Sequence, residues 1–326
     1  MQKIYTDVFW NQIINDDILN WIKKEENESV DLILSDPPYN INYTNNRRVK
    51  TRDKIHGVDG IMNDKDNLEM IEKAYAEYFR ILKEWKHIYI FTRWDVAQDH
   101  IDLLKKAWFI VKNNLIWDKW NMSMWDLWGD FGWQYENILF AIKPYSKWKK
   151  KWKADKLNPI WNRTRHSNII KYKRVVWKKQ IHSHQKPMWL LKFLIQKSSK
   201  TGDIVYDWFA WSNSLGISAA SLWRKYKTLE LNPEVFEIAI NNTENYLNYL
   251  KKNLDKVENH IYIENLNLLL ITKSFLSKIT NEDKKSYFLL KGKKKILIQE
   301  LFDLIQTTNP INYNWKEIYL INIEEN

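Results

Sequence analysis

Val30-Asp31-Leu32-Ile33-Leu34-Ser35-Asp36-Pro37-Pro38-Tyr39 decides the fold. A run of apolar residues bounded by turn residues reads as a buried strand, and this one runs directly into two prolines. Proline fixes φ and donates no hydrogen bond, so the ladder stops and the chain turns rigidly after Asp36. Ligands of open α/β sheets sit at the carboxyl ends of the strands. The turn presents the Asp36 carboxylate, the Pro37 carbonyl, Pro38 and the Tyr39 ring toward one point. Two acceptors and a ring suit a planar aromatic amine, which offers two N–H protons and a face to stack on. The plain alternative is an ordinary strand-ending turn, because Asp-Pro and Pro-Pro are common turn dipeptides.

Outward from this segment, short β-rich runs alternate with helix-length amphipathic stretches, which predicts an α/β fold with a mostly parallel sheet. The expected strands are 30–35, 87–92, 113–118, 137–143, 204–206 and 227–231. The expected helices are 66–83, 95–106, 187–198, 214–223 and 233–250. The polar stretch 40–66 has no apolar period and is expected to be a mobile loop, of the kind that is usually functional or disordered, with Arg47, Arg48, Lys50 and Arg52 as candidate phosphate contacts. From about residue 251 the pattern is Lys/Ile/Leu-rich and predicts a helical C-terminal appendage, giving a main domain over 1–250 and an appendage over 251–326.

The chain has 326 residues and a net charge of +11. Residues 144–181 alone carry +12, which leaves the rest of the chain near neutral. A confined basic patch interleaved with Trp148, Trp152, Tyr172 and Trp177 predicts a polyanion surface, and phosphate contacts make nucleic acid its natural partner. Lys149, Lys150, Lys151, Arg163, Arg165, Lys171, Lys173 and Arg174 are its candidate contacts. A solvated lysine-rich insertion is the alternative. There is no cysteine, which excludes disulfides and thiolate chemistry. His56, His100 and His166 lack metal-ligand spacing, so no metal is expected. No apolar run reaches the length of a membrane span and no signal-peptide core opens the chain, so a cytoplasmic protein with no membrane partner is expected.

In these segments the sequence resembles the S-adenosylmethionine-dependent amino-methyltransferases that act on DNA bases. Asp36–Tyr39 is similar to the DPPY box of members that methylate adenine at N6. The stretch Gly202 to Ser214 resembles the family's cofactor loop, D-x-F-x-G-S-G/N-S/T, with Asp207, Phe209, Ala210, Trp211, Ser212, Asn213 and Ser214 in its places. Glu230, followed by Asn232, resembles the acid that binds the cofactor ribose, and Asp17 the residue that contacts the cofactor adenine. His182–Pro187 resembles the H-P-T-Q-K-P box, which brings Lys186 and Pro187 to the cofactor. Asp126–Glu136 looks like the loop beside the flipped base.

The catalytic box precedes the cofactor loop, which is the family's β-type order, and the basic segment falls where that order keeps target recognition. The resemblance implies a Rossmann-like methyltransferase fold with a basic recognition insert. It also implies transfer of a methyl group from S-adenosylmethionine to a flipped-out adenine in double-stranded DNA. The enzyme is then bacterial or phage-encoded, monomeric or homodimeric, in a restriction-modification system with a cognate endonuclease or alone. N4-cytosine methylation is an alternative, as is a non-catalytic DNA-binding homologue if Trp211 is genuine.

One compositional feature stands apart: 19 Trp against 7 Gly. Average usage gives roughly 23 glycines in a chain of this length. Trp211 stands where the family loop has the glycine that lets the backbone approach the cofactor. Trp223, Trp108 and Trp85 fall at helix-to-strand turns, and Trp21, Trp120, Trp125, Trp177 and Trp189 at other positions the family commonly fills with glycine. UGA differs from the glycine codon GGA at one base, and some genetic codes read UGA as glycine while others read it as tryptophan. A gene of the first kind read by the second table is expected to produce this composition. Trp94 and Trp117 are expected to be true tryptophans.

Overall fold

The computed structural model describes residues 2–7, 9–37, 67–121, 132, 134–145, 166–173, 186–256, 258, 260–263, 268–279, 287–289, 295–297, 311–313 and 316–322. The chain divides into two compact units, 1–242 and 243–326.

The first unit is built on a nine-stranded sheet in the order β1-β2-β9-β8-β3-β4-β6-β5-β7. Its strands are β1 (Lys3–Thr6), β2 (Gln12–Asn15), β3 (Val30–Ser35), β4 (Leu82–Thr92), β5 (Ile110–Asp118), β6 (Tyr135–Ile142), β7 (Ile169–Lys171), β8 (Ile204–Asp207) and β9 (Lys225–Glu230). The pairs β2–β9, β9–β8, β8–β3, β3–β4 and β5–β7 are parallel, while β1 and β6 run against their neighbours. The mostly parallel sheet and all six expected strands are present, with ends displaced by up to five residues. Strands β1, β2 and β7 are additional; four residues or fewer carry too little alternation to register.

Every residue of β3 is buried, as a central strand covered by helices on both faces requires. Ile33 and Val30 pack into one cluster with Tyr75, Tyr78 and Ile81 of α2 (Asn67–Ile81) and Leu104 of α3 (Ala97–Lys106). Leu32 and Leu34 pack into the other with Leu190, Leu191 and Leu194 of α4 (Met188–Ser198), Leu215 and Ala219 of α5 (Ser214–Ser221), and Phe236 of α6 (Pro233–Leu254). Each such side chain contributes about 1.5–3 kcal/mol by leaving water. At the amino ends of β3 and β8, the Lys86 ammonium bridges Asp31 and Asp203, 3.0 Å from each.

Two helices end in the same way. At the end of α3 the Trp108 N–H donates to the Lys105 carbonyl and the Phe109 N–H to that of Leu104; Trp108 has φ of 70°. At the end of α5 the Trp223 N–H donates to Ala220 and the Arg224 N–H to Ala219, with Trp223 at φ of 60°. This is the Schellman closure, whose left-handed residue is usually glycine. Gly216, inside α5, is needed for close approach, because a Cβ there would lie 2.3 Å from the Asn213 Oδ1.

The second unit overturns one expectation. In place of a helical appendage, its described residues form a four-stranded antiparallel sheet, ordered β10 (His260–Ile263), β11 (Leu268–Thr272), β15 (Lys316–Asn322), β14 (Ile311–Tyr313), and a hairpin of β12 (Tyr287–Leu289) and β13 (Lys295–Leu297). Beyond the end of α6, its described helix is the single turn α7 (Lys273–Leu276). Runs such as Leu268-Leu269-Leu270-Ile271 are apolar throughout, so their period does not separate strand from helix. The expected boundary at residue 250 falls within α6, which continues to Leu254.

Candidate active site

The strand order reverses direction of travel at β3 and β8. From β3 the chain crosses through α2 to β4 on one side, and from β8 through α5 to β9 on the other. Such a switch point opens a crevice at the carboxyl ends of the two strands. A cavity lies there, lined by residues that include Asp36, Phe91, Lys186, Asp207, Ala210 and Trp211. Its free space is about 30 Å³, room for one or two water molecules.

Asp36 follows β3 directly, and its carboxylate lies 2.9 Å from the Lys186 ammonium, just ahead of α4. The same ammonium lies 3.0 Å from Glu136, which also pairs with Lys119. Glu136 reaches this edge because β6 runs antiparallel, so its first residues lie beside the carboxyl ends of β4 and β5: Asn137 pairs with Thr92, and Glu136 with Trp117. Burial alone would raise the Glu136 carboxyl, but the Lys186 and Lys119 ammonium groups hold it down to about 2. Burial likewise opposes the charge on Lys186, and Asp36 and Glu136 more than offset it, raising its pKa. Lys186 is the counter-ion that two carboxylates share. Lys186→Met leaves both carboxylates without it, and should lower the unfolding free energy by about 3–5 kcal/mol, measured by urea denaturation.

The loop after β8 carries the second group of residues. The Asp207 carboxylate accepts from the Phe209 N–H at 3.1 Å, and burial, together with the charges of Asp36 and Glu230, pushes its pKa well up. Glu230, at the end of β9, accepts from the Trp211 N–H at 3.1 Å and from the Asn232 N–H at 2.9 Å. Burial pushes Glu230 up to about 7. Ser212 and Ser214 share a hydroxyl hydrogen bond of 2.8 Å, and Asn213 accepts from the Thr228 hydroxyl at 3.0 Å.

The structure brings together Asp36, Lys186 and the residues from Asp207 to Ser214, with Glu230 fastened to the same loop. Asp17 serves as the N-cap of a four-residue helix, α1 (Ile18–Trp21), accepting from the Leu19 and Asn20 N–H groups. Lys171 and Lys173 are exposed at and just after the edge strand β7, with the Lys173 ammonium 4.9 Å from the Trp120 ring. Pro38, Tyr39, Arg47, Arg48, Lys50, Arg52, Lys149, Lys150, Lys151, Arg163, Arg165 and Arg174 lie outside the described residues. His100 is buried and hydrogen-bonded to the Tyr75 hydroxyl at 2.6 Å. Among the described residues no cluster of His, Asp and Glu has the form of a metal site, and no helix is long and apolar enough to cross a membrane. The sequence reading missed Glu136 and Lys119; an acid at the start of an otherwise apolar strand was the available signal.

An α/β sheet with a buried acidic cluster at its switch point, a strand-to-helix loop after β8 and an acid closing β9 defines a nucleotide-cofactor enzyme of the Rossmann-like class. Residues 30–241 match the family described as DNA methylase, and the chain belongs to that family. It is 28% identical over 270 residues to the DNA adenine methyltransferase YhdJ of Escherichia coli (strain K12), covering 76% of this chain and 87% of that protein. It is also 28% identical over 284 residues to the type II methyltransferase M.HinfI of Haemophilus influenzae, covering 79% and 74%. Two solved structures share the fold at a TM-score of 0.53 each. The M1.HpyAVI–SAM complex is 21% identical, covering 71% of this chain and 98% of that one. The cytosine-N4-specific PvuII DNA methyltransferase is 15% identical, covering 76% and 94%.

Proposed function

We propose that this chain is a site-specific DNA adenine-N6 methyltransferase that uses S-adenosylmethionine. The observation that carries the reading is the position of Asp36 at the switch point, lining one cavity with the loop from Asp207 to Ser214. The relative YhdJ, named a DNA adenine methyltransferase, favours adenine over cytosine. The enzyme acts within a restriction-modification system or alone, on double-stranded DNA, in the cytoplasm of a bacterium.

The residues around the cavity suit that cofactor at all positions but 211. The buried Glu230 carboxylate offers acceptors for two ribose hydroxyls, and residues 209–212 line the cavity. When bound, S-adenosylmethionine supplies an electrophilic methyl group on a sulfonium. The rest falls to the protein. Adenine N6 is a weak nucleophile because its lone pair is delocalised into the ring. Asp36 and the Pro37 carbonyl would accept hydrogen bonds from its two N–H groups, which favours a pyramidal nitrogen with a localised lone pair; the one proton the methylated nitrogen must shed passes by way of Asp36 to solvent. Lys186 fixes the carboxylate, and the rate comes mostly from positioning. The target nitrogen lies inside a stacked duplex, so the base must leave the stack, with Tyr39 as its stacking partner.

The test is to incubate unmethylated DNA with protein and cofactor, digest it to nucleosides and separate them. N6-methyladenosine in the deoxy series supports the reading; N4-methylcytosine alone, or no methylated nucleoside from a chain that binds cofactor, sinks it.

Glu230 adds a pH signature. Its carboxyl titrates near 7 when folded and near 4.5 otherwise. Folding therefore takes up a proton, so this group's contribution to stability is full below about 4.5 and is lost as pH rises through about 7. Cofactor binding has the opposite sense, since the ionised carboxylate is the better acceptor. Affinity measured by titration calorimetry should rise about tenfold between pH 6 and 8, and Glu230→Gln should flatten the profile.

A further inference from the structure

Six of the eight non-glycine residues with positive φ among the described residues are tryptophans: Trp10, Trp85, Trp108, Trp120, Trp211 and Trp223, at φ between 46° and 70°. The other two are Asn213 and Glu28. A bulky residue in the left-handed region is a genuine outlier, whereas asparagine and glycine occupy it readily. Tryptophan makes up 19 of 326 residues, so chance placement would put it at few such sites.

Burial does not explain the choice at three of them, although Trp85 stacks near Tyr145 and Trp223 meets the Phe9 ring edge-on. Trp10, Trp108 and Trp120 are 80%, 77% and 53% exposed, so their indoles gain little burial to offset the backbone strain. The main-chain hydrogen bonds at these positions need no side chain. Trp10 donates to the Asp7 carbonyl, Trp85 to that of Lys143, Trp120 to the Asp118 carboxylate and Trp211 to the Glu230 carboxylate. Trp108 and Trp223 close the two Schellman ends. Trp117 differs in every respect. It lies in β5, is 2% exposed, and its indole N–H donates to the Tyr172 carbonyl at 2.7 Å.

We propose that residues 10, 85, 108, 120, 211 and 223 of the natural protein are glycines, encoded by UGA in a genetic code that reads it as glycine, and that glycine at 211 forms the cofactor-facing bend. The backbone selects these six, and it adds Trp10 to those singled out by composition and motif. It makes no such demand at Trp21, which is helical at φ of −72°. The clause about position 211 rests on the cofactor reading above; the rest does not. At 211 the indole lines the cavity whose free space is about 30 Å³, and glycine removes it while keeping the N–H bond to Glu230.

The codons and the natural protein decide the matter without reference to activity. The gene should carry UGA at all six positions and UGG at 117, and peptides of the protein purified from its own cells should show the mass of glycine at the six. UGG at any of the six, UGA at 117, or tryptophan in the natural peptides overturns the proposal. Titration with S-adenosylmethionine tests position 211 separately. Trp211→Gly should bind more tightly than the chain as written, and Trp211→Ala, which keeps a Cβ at the same φ, should fall between them. Equal affinity of all three overturns the role given to 211 and leaves the codon result standing. Glycine codons with no binding by Trp211→Gly would count against the methyltransferase reading instead.

Discussion

Asp36→Ala should abolish methyl transfer, lowering the rate by at least about 10³-fold, while S-adenosylmethionine affinity stays within a few-fold. The experiment belongs in a chain carrying Trp211→Gly, where the cavity is open. On the proposed mechanism the carboxylate serves the reacting amine and not the cofactor, so its loss removes a charged acceptor needed only as the nitrogen pyramidalises. Asp36→Asn keeps one acceptor oxygen and should retain more activity than Asp36→Ala. The variant should fold, because Lys186 keeps Glu136 as its partner at 3.0 Å. Single-turnover assay with tritiated methyl donor gives the rate, and calorimetry the affinity. Near-parental activity in the alanine variant refutes the catalytic assignment.

The second large effect is on stability. Trp10→Gly, Trp108→Gly and Trp120→Gly each relieve a left-handed backbone that costs an L-residue about 1–2 kcal/mol. Glycine's greater freedom in the unfolded chain offsets part of this, so about 1 kcal/mol per site is expected to remain. The three sites lie on separate elements, which favours additivity. Together they should raise the unfolding free energy by about 3 kcal/mol and the midpoint of thermal unfolding by roughly 6–12 °C. Glycine in an ordinary exposed turn does the reverse, so the sign alone is diagnostic. Alanine at the same positions should recover little of the gain, since it keeps the Cβ that the conformation disfavours.

The sequence marks β3 to the residue because its burial on both faces leaves a continuous apolar run that ends abruptly at prolines. Its neighbours are legible in kind but less so in extent. β4 begins five residues earlier than its apolar core because Leu82 pairs with Val30 of β3 ahead of an irregularity in the register, and Trp85 and Lys86 exchange hydrogen bonds with Lys143, none of which has a local pattern. The terminal unit was misread because an evenly apolar segment has no period to separate strand from helix. In the site, Asp36 declares itself through turn chemistry, and the loop from Asp207 through its resemblance to the family's cofactor loop. Glu136 and Lys119 do not, because their relation to Asp36 exists only through the antiparallel placement of β6. The tryptophans that composition and motif single out are sorted further by φ, a property the sequence does not carry.

The pairing of β2 with β9 joins residues 12–15 to residues 227–230. Ile13 and Ile14 pair with β1 on one edge, but their other edge has no partner until more than 200 further residues have been made. At ordinary ribosomal speed that is a wait of roughly 10–40 s. The β1–β2 hairpin therefore spends most of the chain's birth as an open apolar edge. Lower growth temperature or a holding chaperone, by shielding that edge, should therefore raise the soluble yield.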